Sequence, residues 1–77
     1  MNNTRRETIA KAIEHLNIAH TLLEQAASDE QDYFDNLPEG FQQSERGQNA
    51  EQAASDLQEA VDSAQSAIDA AEQATSY

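Results

Sequence analysis

The sequence predicts an all-α protein: an antiparallel two-helix hairpin with an alanine-lined seam, assembling into a homo-oligomeric helical bundle. Three observations carry that expectation. The one proline and both glycines of the 77 residues, Pro38, Gly40 and Gly47, fall in a single short stretch, with no breaker on either side. Apolar residues flanking that stretch recur at alternating spacings of three and four, which marks one face of a helix. Alanine is the commonest residue, followed by glutamine and glutamate, all strong helix formers. The competing possibility is disorder, because Ile, Leu, Val and Phe make only 12 of 77 residues, under the roughly 20% mark for highly charged chains. Periodicity decides for helices. A lone helix of this composition would be marginal in water, so the helices must pair.

The chain reads as one domain, 1–77, with a helix over about 4–34, a connection over about 35–44 and a helix over about 45–75. Met1 to Asn3 is expected to fray, and Thr4 with Glu7 three residues later forms a capping-box pattern. Ile9, Ile13, Leu16, His20, Leu23 and Ala27 then line one face. Beside it runs a second row of Ala12, Ala19 and Ala26, while Ile18 and Leu22 widen the apolar arc. In the connection, Pro38 cannot lie inside a helix arriving from Tyr33 and Phe34, and it disfavours helical angles at Leu37. Pro38-Glu39-Gly40 suits a turn with Gly40 at positive φ, and Ser44 offers an oxygen to cap the next helix. The second helix carries rows Ala50, Leu57, Ala64, Ala71; Ala53, Ala60, Ala67, Ala74; and Ala54, Val61, Ile68.

Folding the chain near Glu39–Gly40 sets Ala26 level with Ala53, Ala19 with Ala60, and Ala12 with Ala67. Alanine opposite alanine would let the backbones approach closely. Ile9, Ile13, Leu16, His20, Leu23, Leu57, Val61 and Ile68 would then flank the seam and form the oligomer interface. Glu24-Gln25-Ala26-Ala27-Ser28-Asp29 also recurs letter for letter as Glu51-Gln52-Ala53-Ala54-Ser55-Asp56. A composition this simple can produce such a match by chance.

Charge narrows the partners. Four basic and 15 acidic residues give a net charge of −11 and an isoelectric point near 4.1. Phosphates would repel such a chain, which argues against direct binding to nucleic acid or anionic lipid and for basic protein surfaces. No base follows Arg46, whereas Glu51, Asp56, Glu59, Asp62, Asp69 and Glu72 do. Arg5, Arg6 and Lys11 at the first helix's start would lie near Asp69 and Glu72 in a hairpin. No apolar run approaches the roughly 18 residues of a membrane span, and no apolar stretch follows Arg5 and Arg6 as in a signal peptide. A cytoplasmic protein is expected.

The sequence offers little to catalysis. There is no cysteine, hence no thiolate nucleophile, disulfide or zinc–sulfur site. His15 and His20 are five apart, and the positions that would complete a Glu-x-x-His pair hold Ala12 and Asn17. The acids of the connection lack the spacing of a calcium loop. His20 is therefore read as an interface histidine on the apolar stripe, paired with Glu24 one turn on. A two-helix protein has nowhere to exclude water from a reacting centre, so no enzyme, metal or cofactor is expected. Tyr33, Phe34, Leu37 and Phe41 gather at the connection, either to cap the hairpin's open end or as an exposed anchor for a partner. Arg46 is read first as a salt-bridge partner of Asp35, Glu39 or Glu45.

Tyr33-Phe34-Asp35-Asn36-Leu37-Pro38-Glu39-Gly40-Phe41-Gln42, followed by Ser44-Glu45-Arg46-Gly47, resembles the connection of a family of short acidic helical-hairpin proteins from bacteriophages and mobile elements. Ser66-Ala67-Ile68-Asp69 is similar to the recurring segments of that family's second helix. The resemblance implies a phage product acting on a host component, in the host cytoplasm. The resulting expectation is a non-enzymatic inhibitor of a host nucleic-acid-handling or defence system, of the anti-CRISPR or anti-restriction type, with mimicry of nucleic-acid charge as its means. Its partner-binding residues would be Tyr33, Phe34, Asp35, Glu39, Phe41, Arg46, Glu59, Asp62 and Asp69. The alternatives are a self-assembling structural or accessory protein, or an oligomer that sequesters a small ligand.

Overall fold

The computed structural model describes all 77 residues as two long helices and a helical connection. Helix α1 spans Asn3–Asp35, the one-turn α2 spans Glu39–Gln42, and α3 spans Glu45–Thr75. The long helices lie side by side in a rod whose Cα extents are 58 × 14 × 13 Å. There is no strand.

The start of α1 differs from the expected capping box. Asn2 is the cap, its Oδ1 accepting from the Arg5 N–H at 2.8 Å. Asparagine ranks among the best N-caps, so the helix begins before Thr4 and Asn3 is helical rather than frayed. At the other end, the Asn36 N–H donates to the Asp32 carbonyl, and Leu37 donates to Phe34. The connection is not an open turn. Pro38 serves as the N-cap of α2, its carbonyl accepting from Phe41 at 2.8 Å and Gln42 at 3.1 Å. Gly40 therefore sits in a helical turn, and no residue of the chain has positive φ. Gly40 is exposed, and a Cβ there would meet nothing within 4 Å. Gly40→Ala should raise stability by about 0.5–1 kcal/mol by narrowing the unfolded ensemble, as a denaturant titration would read.

Gln42 latches the connection to α1. Its Nε2 donates to the carbonyls of Phe34 at 3.2 Å and Asp35 at 3.4 Å, the first of which also accepts from the Leu37 N–H. Ser44 then caps α3, accepting from the Gly47 N–H at 3.3 Å, while its hydroxyl donates to the Phe41 carbonyl. Gly47 is buried where α3 crosses α2. A Cβ at this position would press into the Phe41 and Gln42 carbonyls, within 2.6 Å of the Gln42 carbonyl carbon.

The seam is not lined by the alanine rows placed opposite one another. Its most buried residues are Ala27 of α1 and Ala50, Ala54, Val61 and Ile68 of α3. Ile9, Ile13, Leu16, His20, Leu23 and Leu57 are half-buried along the same line. Ala12, Ala26 and Ala67 are exposed, and Ala19, Ala53 and Ala60 only half-buried. The eight residues expected at an oligomer interface thus serve the hairpin itself. The reason is energetic: fully burying an Ile, Leu or Val side chain yields about 1.5–3 kcal/mol, far more than an alanine methyl returns. Each helix of a pair buries one stripe, and the stripe with the larger side chains wins.

Candidate functional site

The same packing dents one broad side of the rod. Ala27 and Ala54 are small and turned into the seam, and a groove of about 530 Å³ opens there with Ala54 in its lining. Glu24, Ser28 and Gln31 of α1 form one wall, with Glu51, Ser55 and Gln58 of α3 forming the other. Both walls use the same three residue types at the same spacing. The six-residue repeat explains this, and it extends further than the identical block. Residues 24–35 and 51–62 match at eight of twelve positions, including Gln31 with Gln58 and Asp35 with Asp62. Antiparallel packing runs the two copies past each other in opposite directions. The groove therefore has approximate two-fold symmetry.

Its hydrogen bonding repeats as well. Gln31 Nε2 donates to Asp35 Oδ1 at 2.9 Å, and Gln58 Nε2 donates to Asp62 Oδ1 at 3.3 Å. Gln65 does the same to Asp69 at 2.9 Å, and away from the groove Gln52 repeats the bond to Asp56 at 2.8 Å. These carboxamides spend donors on neighbouring carboxylates, which leaves carbonyl oxygens, hydroxyls and carboxylates to meet an incoming group. On α3 the wall continues as Glu51, Ser55, Gln58, Asp62, Gln65 and Asp69, stepping by four and three. What this stripe can do is accept hydrogen bonds from cations.

No lysine or arginine of the hairpin neutralises it. His20 Nδ1 lies 3.3 Å from Glu24 Oε1, and no lysine or arginine forms a salt bridge. Arg46 makes no salt bridge to Asp35, Glu39 or Glu45, contrary to the expectation from sequence. Arg5, Arg6 and Lys11 likewise make none to Asp69 or Glu72. The Arg6 Nε is buried without a hydrogen-bond partner. No group of three His, Asp or Glu side chains converges as a metal ion would need. No helix is long and apolar enough to cross a membrane.

The nine partner-binding candidates fall into separate places. At the connection, Tyr33 and Phe41 are 42% and 55% exposed, whereas Phe34 and Leu37 turn inward, so the aromatic group is split between capping and exposure. Asp35, Glu39 and Arg46 are exposed nearby. Glu59, Asp62 and Asp69 are exposed along α3, and at 1.5 Å per residue Asp69 lies about 36 Å from that helix's start. The structure does not gather these nine into one site. Sequence reading missed Glu24, Ser28, Gln31, Glu51, Ser55 and Gln58 as a set. The signal was present in the repeat, extended beyond its identical block.

Fold and site together define a small acidic α-helical hairpin with a quasi-symmetric groove rich in hydrogen-bond acceptors. The chain matches no protein-family model, no curated protein and no solved structure.

Proposed function

We propose that this chain is a non-enzymatic binding protein that docks its acidic groove side on a basic surface of a macromolecular partner. One observation carries the reading: none of the 15 acidic residues is paired with a lysine or arginine, so their charge is available to a partner. Ordinary solubility asks for a net charge of about 2–8 in magnitude, and −11 goes beyond that. Arginine and lysine side chains are the matching donors for carboxylates flanked by hydroxyls and carboxamide oxygens. The connection, with Tyr33 and Phe41 exposed, supplies an apolar anchor at the rod's end. In its most specific form the partner is a host nucleic-acid-handling or defence machine, inhibited in the cytoplasm by a phage-type product that occupies a channel built for phosphates. Self-association into a homo-oligomer belongs to the same reading.

An arginine-rich peptide is a direct probe. Association should slow steeply from low to physiological salt, because exposed charges are screened beyond about 8–10 Å. Glu24→Gln with Glu51→Gln should weaken binding by about tenfold, as should neutralising Glu59, Asp62 and Asp69 together. Phe41→Ala should leave peptide binding unchanged and speed dissociation from a folded basic partner. Affinity that ignores both salt and the neutralising substitutions would leave the acids with a solubilising role only. The structural or accessory reading would then stand.

A further inference from the structure

The rod has a second broad side, opposite the groove and built differently. Steps of seven place Ala12, Ala19 and Ala26 in one row of α1, and Ala53, Ala60 and Ala67 in one row of α3. At 100° per residue each row lies about 70–80° from its helix's seam line, away from Glu24, Ser28, Glu51 and Ser55. In an antiparallel pair those two offsets turn to the same side, so both rows share one face. The same helical angles put only Glu30 and Asp56 of the 15 acids near its middle, with Asp29 at the Ile18–Leu22 edge and Glu45 and Glu59 along the other edge. Ile18 and Leu22, each 59% exposed, border it along α1. Small side chains leave this face flat, and nothing in a single hairpin covers it.

We propose that this face binds a second copy of the chain, giving a homodimer of two hairpins stacked alanine face on alanine face. Two observations choose a second copy as the occupant. The first is area. A compact monomer of 8.5 kDa would expose about 4,700 Å² by the scaling of surface with mass, and this hairpin exposes 5523 Å². The excess of about 800 Å², which comes with the elongated shape of the rod, is close to what one partner contributes to a standard interface. The second is charge. Two chains of net charge −11 can meet only where their acids point apart, and this is the one broad face that allows it. A basic partner, by contrast, gains less from a face so poor in carboxylates than from the groove side. The contact is self-complementary, as a two-fold dimer requires, and alanine methyls let the backbones approach closely. This inference rests on the self-association part of the reading above and not on the basic partner. Its consequence is that both acidic grooves face outward, so the dimer is bivalent.

Sedimentation of the full chain over a wide concentration range tests the idea. The expected result is a dimer that Ala12→Glu with Ala67→Glu converts to a helical monomer, while Ser28→Glu with Ser55→Glu on the groove side leaves it intact. Both alanines are exposed in the single hairpin, so the charges should not unfold it. As a second measurement, Ala67→Cys gives the chain its only thiol, whose labelling by a water-soluble reagent should slow as concentration rises. A monomer at every concentration would overturn both self-association and this face. A dimer that survives the Ala12→Glu and Ala67→Glu pair, or labelling of the Ala67→Cys variant that ignores concentration in a dimeric protein, would overturn the face alone. Loss of the dimer in the groove-side variant, with the alanine-face variant intact, would move the interface to the groove.

Discussion

Gly47→Val is expected to lower the unfolding free energy by about 3 kcal/mol, the upper part of the range for overpacking a well-filled site. Gly47 is buried two residues inside the first turn of α3, where α2 crosses it. The atoms that a Cβ would meet are the Phe41 and Gln42 carbonyls, which are backbone and cannot rotate away. Relief requires α2 to move, and Gln42 then loses its bonds to the Phe34 and Asp35 carbonyls. The melting temperature should fall by on the order of 15 °C for a domain of this size. Gly47→Ala should show the same sign with a smaller loss, because alanine regains about 1 kcal/mol of helix propensity over glycine. A melting curve unchanged in both variants would mean that α2 is not packed on α3. The contrast with Gly40→Ala is the diagnostic part, since that substitution should stabilise.

Ile68→Ala should cost about 2–3 kcal/mol, in the lower half of the range for such truncations. Ile68 is 4% exposed in one hairpin, so its side chain is already fully committed to the seam. A two-layer rod can close partly around the missing atoms, which keeps the loss below that of a deep core. Asp69→Ala, one residue on and exposed, should change stability by no more than about 0.5 kcal/mol. Chemical denaturation of the two variants side by side would read this. Equal effects would mean that Ile68 does not lie in the seam.

Much of the local structure was legible in the residues themselves. Pro38 and the glycine positions mark the break between helices, and Ser44 caps α3 through Gly47, as its position predicts. The spacing of His20 and Glu24 announces their pairing. These are short-range matters, decided by backbone angles and by side chains within one helical turn. The start of α1 was also a local question, and there Asn2 outcompeted Thr4.

The seam, the groove and the role of Gly47 were decided only in three dimensions. Ile9-Ile13-Leu16 and Ala12-Ala19-Ala26 are adjacent stripes on one helix, with Leu57-Val61-Ile68 and Ala53-Ala60-Ala67 on the other, and periodicity is satisfied by either pair. Burying the larger side chains removes more apolar surface from water, which rotates both helices and leaves the alanine rows on a shared face. That rotation turns Ala27 and Ala54 inward, and the two repeat copies then frame a groove. Gly47 reads in the sequence as a simple helix breaker. Its requirement comes from the carbonyls of Phe41 and Gln42, which reach it only after α2 has folded back onto α3.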